Sequence, residues 1–425
     1  MRVLMISPYF PPLLSVGSLR AWSFAKGFAD RGHCVHVLTT AKREDQRGLE
    51  VSDGRLTVHE IAVPKRLLLD HVRRSHAAPA GEHVPGEGGG GGILREVKER
   101  TGVFSSVRMP DMTDAWIGPA TKAAEIAGPW DLVISSCGPY TAHLVALRLG
   151  SQRGRWIADY RDLWTTNHQF AGLYPFTLRE KALERRVMAQ ADAATTVSEP
   201  LARRLHDAGA RRVQVIYNGF FEHEPEEVDA TGVFASDGRT RVVYTGTVYP
   251  KHQDVRPVLR AIAASPRLRE CVRLVVAGQG MSHWLGEARR LGVEDVVEAM
   301  GLVSRPNALR LQRDADALLA IEYDGDYDGV LSGKIFEYLS ASAPIVVTGP
   351  RGCVGDLVER VGRGSACVDD EALRRTLEGI VDGRGANQAA RREHEIAFYT
   401  REKQADRLVD LGECLTGCQA RAQAL

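Results

Sequence analysis

The sequence predicts an α/β protein made of two parallel-sheet domains, and three observations carry that expectation. At 425 residues the chain is longer than one hydrophobic core ordinarily holds. Short apolar runs alternate with helical segments along both halves, the pattern of strands joined by helical crossovers. A polar stretch poor in aliphatics, Glu222 to Gly238, separates the two series and reads as a linker. Hydrophobic residues make up 44% and charged residues 26%, as in globular proteins. A net charge of +1 gives no bulk electrostatic reason to expect nucleic acid. Nothing in the sequence reaches the roughly 18 apolar residues of a membrane span, and Met1 to Pro8 lacks the features of a signal peptide. Seven scattered cysteines without a C-x-x-C pair read as reduced thiols, so the expectation is a cytoplasmic protein.

The first series opens with an apolar strand from Arg2, ended by Pro8, Pro11 and Pro12. A loop with Gly17 and Ser18 leads into a helical pattern over Leu19 to Arg31. Gly32 closes that helix, and Cys34 to Thr39 reads as the next strand. Ligands of such βαβ units bind beyond the carboxyl ends of the strands, which makes Pro11 to Arg20 a candidate site; Gly17 serving only a turn is the plainer reading. A third strand is expected from Leu56. Lys65 to Arg74 is basic and amphipathic, a pattern that suits a solvated surface helix or a weak peripheral contact with an anionic membrane. Residues from Ala77 to Gly92 are rich in Ala, Pro and Gly and read as a flexible insertion. Strands are then expected at Asp131–Ser136, Arg155–Tyr160, Ala193–Val197 and Val213–Tyr217. Arg161, Asp162 and Trp164 follow the second of these, at the sheet edge where ligands gather; an Arg161–Asp162 pair that only shapes the loop is the alternative.

After the linker, strands are expected at Val242–Val248, Val272–Ala277, Val296–Met300, Ala317–Ile321 and Pro344–Thr348, with a last helix of this series from Glu371. The stretch Gly329-Val330-Leu331-Ser332-Gly333 opens a helix to about Ala341. An advance of about 100° per residue puts Ile335, Phe336 and Leu339 on one side and Lys334, Glu337 and Tyr338 on the other. Side chains lean toward the helix N-terminus, so Lys334 and Glu337 point back over the glycine loop. The exposed amides and positive dipole of the first turn favour a phosphate. A nucleotide-linked substrate fits that arrangement, with Lys334 for a diphosphate and Glu337 for sugar hydroxyls. A solvated Lys–Glu pair is the plain alternative. Gly278-Gln279-Gly280 lacks the third glycine of a dinucleotide fingerprint, since position 283 is His283.

Several of these stretches together resemble one family. Gly333-Lys334-Ile335-Phe336-Glu337-Tyr338-Leu339 with Ala343-Pro344-Ile345 is similar to the donor-site helix of bacterial family 4 retaining glycosyltransferases of the GT-B fold. Tyr244 to Tyr249, Val275 to Gly278, Val215 to Phe220 and Gly32 to Thr39 resemble its other signposts. The resemblance implies two Rossmann-like domains facing each other across a cleft. Residues 1–222 would take the acceptor, 223–388 the nucleotide-sugar donor, and 389–425 would form a helical segment crossing back to the first domain. It implies transfer of a sugar from a nucleotide diphosphate with retention, onto a small-molecule or glycan acceptor. Glu337 matches the second glutamate of the family's E-x7-E motif, which holds the donor ribose; Ser332 and Gly333 lie in the loop that meets the diphosphate. Gly17, Gly246, Gly278, Lys251 and the 329–333 loop fall on the donor side, and Arg20, Arg161, Asp162 and Trp164 on the acceptor side. Glu337, Lys334 and Asp162 are the catalytic candidates. The first glutamate of E-x7-E is replaced by Gly329, with Asp326 and Asp328 nearest, and the family's arginine after the first glycine of the second domain is replaced by Thr247. Helix amides and Lys334 serve the diphosphate, so no divalent metal or other cofactor is expected, although Asp324 to Asp328 carries a D-x-D pattern. Two other readings stay open on the same fold: a nucleotide-sugar epimerase, and a silent domain that only binds a sugar nucleotide or a partner.

Overall fold

The computed structural model describes residues 1–49, 51–64, 92–167, 169–222, 232–234, 236–324, 329–383 and 393–418. The basic stretch 65–74, most of the glycine-rich insertion, Asp326 and Asp328 lie outside the described residues. The chain divides into two compact units, one of Met1–Tyr217 with the C-terminal stretch from Glu402, the other Asn218–Arg401.

The first unit is built on a parallel sheet in which β1 (Arg2–Ile6), β2 (Cys34–Thr40), β3 (Leu56–Ile61), β4 (Leu132–Cys137), β5 (Arg155–Tyr160), β6 (Ala193–Thr196) and β7 (Val213–Val215) lie in the order β3-β2-β1-β4-β5-β6-β7. β1 and β4 are buried along almost their whole length, as expected of strands covered by helices on both faces. The crossover helix Val16–Asp30 starts where Ser15 accepts the Ser18 amide and ends before Gly32. Helices Gly92–Thr101 and Ile117–Ala127 were not foreseen, and the first begins on the last glycine of the expected insertion.

The helix Arg401–Thr416 returns to this first sheet from Glu402 onward. Gln404 accepts the Tyr217 amide at 2.9 Å, and Arg407 donates to Val215 O at 3.0 Å. Glu413 bonds His33 at 2.9 Å, and Arg31 reaches Asp410 at 2.8 Å. These contacts place the helix beside the amino ends of β1 and β2 and beside β7, in keeping with a C-terminal helix that crosses back.

The second unit has its own parallel sheet. β8 (Thr240–Thr245), β9 (Val272–Ala277), β10 (Val297–Gly301), β11 (Ala317–Ile321), β12 (Ile345–Thr348) and β13 (Gly364–Cys367) lie in the order β10-β9-β8-β11-β12-β13. β13 was not expected, because Gly-Ser-Ala-Cys carries neither β-branching nor alternation. It pairs because Gly364 has no side chain: a Cβ there would fall 1.8 Å from Ile345 O. All seven cysteines are free thiols.

In both sheets the strand order reverses beside the first strand, between β1 and β4 and between β8 and β11. Crevices at the carboxyl ends of such switch points are where parallel sheets take ligands. The loops after β1, β8 and β11 carry many of the residues singled out from sequence.

Candidate functional site

In the second unit, Gly246 ends β8 with φ +108° and gives its amide to Ala277 O at 2.8 Å. Gly278 ends β9 with φ +140°, and a Cβ on it would lie 2.1 Å from Gly246 O. The two glycines therefore let two strand ends close on each other, which no side chain there would allow. Lys334 lies over this floor, its Nζ 3.7 Å from where a Gly246 Cβ would stand. It is held there from below. Nζ donates to Tyr244 Oη at 2.6 Å and sits 3.9 Å from the centre of that ring. Tyr244 in turn donates to Thr247 O at 2.8 Å. The Oγ1 of Thr247 is buried with no hydrogen-bond partner among the described residues.

The helix Gly333–Ser340 starts at Ser332, whose side chain makes no capping bond to it. Gly329 has φ +102°, and its carbonyl accepts the Leu331 amide at 3.0 Å. Lys334 and Glu337 are half-buried on one flank, while Ile335, Phe336 and Leu339 enter the core. Tyr338 corrects the sequence expectation: it is buried rather than facing the site. Its hydroxyl accepts the Thr245 amide at 2.8 Å, and burial pushes its pKa up to about 12. Helical angle alone could not show that the end of β8 lies against that flank.

Glu337 is gripped at both oxygens. Arg305 donates to Oε1 at 2.5 Å, and Gln312 donates to Oε2 at 3.3 Å while also reaching Thr245 Oγ1 at 2.9 Å. Arg305 and Gln312 were missed because they act from a separate helix, Arg305–Arg313, with no local sign of their partner. Lys251 is exposed on the loop after β8, next to His252. Glu322, at the end of β11, was also missed. Its Oε1 accepts the amides of Val354 and Gly355, each at 2.8 Å, so a carboxylate of the chain itself occupies the start of the helix Cys353–Arg360.

In the first unit, Gly17 and Arg161 come together. A Cβ at Gly17 would fall 1.7 Å from Arg161 Nη1, so a side chain there would displace the guanidinium from this position. Arg161 also lies 5.6 Å from the Tyr9 ring centre and bonds Asp162 at 3.2 Å. The Asp162 side chain is 41% exposed. Arg20 and Trp164 sit differently. Arg20, 1% exposed, reaches both oxygens of Asp159 at 3.1 and 2.7 Å and the carbonyls of Ile216 and Tyr217. Burial alone would raise the Asp159 pKa, but Arg20, Ser136 and Thr195 leave it below the ordinary carboxylate value. Trp164 is fully buried, stacked on Tyr140 at 5.0 Å and donating to Glu180. Neither presents its polar group to solvent.

Two parallel sheets, each reversing its strand order beside its first strand, define a two-domain α/β protein. Family models agree with that class: a glycosyl transferase 4-like domain matches residues 18–219, and a glycosyl transferases group 1 domain matches residues 239–382. The chain belongs among the glycosyltransferases of the two-domain GT-B type. Solved structures share its fold at low identity. Sucrose-phosphate synthase from Thermosynechococcus elongatus is 13% identical with a TM-score of 0.67, over 99% of this chain and 100% of that one. Anabaena HepE in complex with UDP-glucose is 15% identical with a TM-score of 0.60, over 98% and 100%. An E. coli protein described as trehalose-6-phosphate bound with UDP-2-fluoro glucose is 12% identical with a TM-score of 0.65, over 99% and 100%. A search of curated proteins found no sequence match.

Proposed function

We propose that the chain is a family 4 enzyme that transfers a sugar, with retention, from a nucleotide diphosphate to an acceptor without a metal ion. The donor diphosphate rests on the loop 329–333 and the first turn of the helix Gly333–Ser340. The observation that carries this reading is Lys334, fixed by Tyr244 over the Gly246 floor beside that turn. Complexes of two fold neighbours with UDP-glucose and UDP-2-fluoro glucose support the choice of donor class. Breaking the anomeric bond leaves its electrons on the diphosphate oxygen. Lys334 and the first-turn amides stabilise the charge that grows there. Glu337 takes the ribose hydroxyls, its charge held by Arg305 and Gln312. The acceptor's nucleophilic atom bonds to the anomeric carbon on the face the diphosphate leaves, and its proton passes to the departing phosphate. Asp162, with Arg161 and Gly17, orients the acceptor.

Seven free cysteines support the cytoplasm as the working place. Among the described residues, no helix is long and apolar enough to cross a membrane. The test is a panel of radiolabelled nucleotide sugars incubated with purified protein, EDTA and a set of candidate hydroxyl-bearing acceptors. Release of nucleoside diphosphate together with labelled product of unchanged anomeric configuration is expected. Isomerised donor without release, or no turnover of any donor, would contradict the reading. Calorimetry with the bare nucleoside diphosphate should show at least about tenfold weaker binding to Lys334→Ala, the loss of one charge-assisted contact. Equal affinity would remove Lys334 from the site.

A further inference from the structure

Three arginines meet at the carboxyl end of β5, and they differ in how their donors are used. Arg20 is spent on Asp159 and on the carbonyls of Ile216 and Tyr217. Buried Arg108 is spent on the carbonyls of Trp164, Thr165 and Ala171 and on Glu180. Arg161 gives away only its Nε, to Asp162 at 3.2 Å. Among the described residues, nothing accepts from its Nη1 or Nη2. The side chain is nevertheless only 19% exposed. Its two open nitrogens lie over glycines: a Cβ at Gly17 would stand 1.7 Å from Nη1, and one at Gly138 3.4 Å from Nη2. Gly17 follows β1 and Gly138 follows β4, so the open edge of the guanidinium covers the switch point of the first sheet. The Tyr9 ring, its centre 5.6 Å from the guanidinium carbon, packs beside it.

A planar fork with both terminal nitrogens unspent matches two oxygens of a carboxylate or a phosphate. A neutral sugar hydroxyl in the same place would leave part of the fork unpaired. Asp162 engages the opposite, Nε side, and its side chain is 41% exposed, so its carboxylate can still accept from a hydroxyl. The first turn of the helix Val16–Asp30, which holds Gly17, favours the same negative charge as the fork. We propose that the acceptor carries a carboxylate or phosphate beside its nucleophilic hydroxyl, and that Arg161 reads this group through Nη1 and Nη2. The acceptor is thus an anionic sugar or polyol. Its role as acceptor rests on the transferase reading; the anion site stands on the first unit alone. The anion keeps all its bonds during transfer. The hydroxyl oxygen gains the anomeric carbon, the bond to the diphosphate breaks, and the hydroxyl proton leaves with the diphosphate.

The experiment offers the full chain matched acceptors: free hexoses, their 6-phosphates and the corresponding uronates, each with the radiolabelled donor panel. For at least one anionic member, kcat/KM should exceed that of its neutral parent at least about tenfold, the value of one charge-assisted bond. The 6-phosphates and the uronates tell phosphate from carboxylate. Arg161→Gln should bring that ratio toward one, through KM for the anionic acceptor rather than through kcat. Gly17→Ala should do the same without removing a charge, because its Cβ displaces Nη1 and Gly17 has no positive φ to forbid alanine. Arg161→Lys keeps the charge and loses the fork; an intermediate ratio there separates recognition from misfolding. A ratio of one in wild type, or an unchanged ratio in both Arg161→Gln and Gly17→Ala, overturns the proposal. So does weaker nucleoside diphosphate binding by Arg161→Gln in calorimetry, which would give the fork to the donor. Binding without donor separates the two readings: wild type should broaden the phosphorus resonance of a hexose 6-phosphate, or transfer saturation to a uronate, and Arg161→Gln should do neither. If no donor is turned over yet this binding is seen, the transferase reading falls and the anion site stands. If sugar passes only to neutral acceptors, the transferase stands and the anionic acceptor falls.

Discussion

The carboxyl edges of the two sheets are built from the same βαβ units but use their charges differently. In the second unit, Lys334 and Glu337 stay half-buried on one helix flank, each fixed by neighbours and still open to solvent. In the first, a guanidinium of equal promise, Arg20, has sunk into the core against Asp159, and the open charges are Arg161 and Asp162. Burial, rather than residue type, separates a charge left within reach of solvent from one that holds the fold. A buried ion pair resists removal of one partner because the other is left uncompensated, whereas a half-exposed charge can be lost with little cost to folding.

The largest effect should therefore come from Arg20→Met, which strands Asp159 and costs about 3–5 kcal/mol of stability. Thermal unfolding would show it, and an unchanged melting curve with lost activity would return Arg20 to the acceptor. Glu337→Ala should do the opposite: little change in melting and a loss of about 1.5–3 kcal/mol in transition-state binding, roughly ten- to hundredfold in kcat/KM. Unchanged kinetics would make Glu337 a structural partner of Arg305.

Acid sensitivity is a third contrast. His143 is fully buried, with Nδ1 2.7 Å from Ser135 Oγ, and burial lowers its pKa to about 3. The unfolded chain takes up this proton first. The stability His143 gives is complete above about pH 6.5 and drains away as pH falls toward 3, by up to about 1.4 kcal/mol per pH unit. The difference in melting temperature between wild type and His143→Gln should shrink or reverse across that window; a difference independent of pH would contradict it. Smallest should be Tyr244→Phe, which keeps the ring beneath Lys334 and removes one hydroxyl, weakening nucleoside diphosphate binding by about 0.5–1.5 kcal/mol. A loss as large as that of Lys334→Ala would mean that Tyr244 touches the ligand itself.

Sequence pattern located most strands to within a few residues, with Arg155–Tyr160, Val272–Ala277 and Ala317–Ile321 matching at both ends. Buried parallel strands are continuous apolar runs, which is why they were legible. Gly364–Cys367 was not, since it pairs by virtue of small size at the sheet edge. The flank of Lys334 and Glu337 followed from helical periodicity. What holds them did not: Tyr244 lies 90 positions from Lys334, and Arg305 lies 32 from Glu337. Arg20 misled for the same reason, its carboxylate being 139 positions away. Long-range pairing decides which charge is spent inside, and no local window contains it.

In the proposed complex the donor's diphosphate sits where Lys334, Gly246 and the loop 329–333 meet. A crystal structure of the chain with the nucleoside diphosphate of its donor tests it most directly. Diphosphate oxygens within hydrogen-bond reach of Lys334 Nζ and of the Ser332 or Gly333 amide are the expected result. A diphosphate bound elsewhere, with Lys334 still on Tyr244 and its first turn empty, would contradict the account.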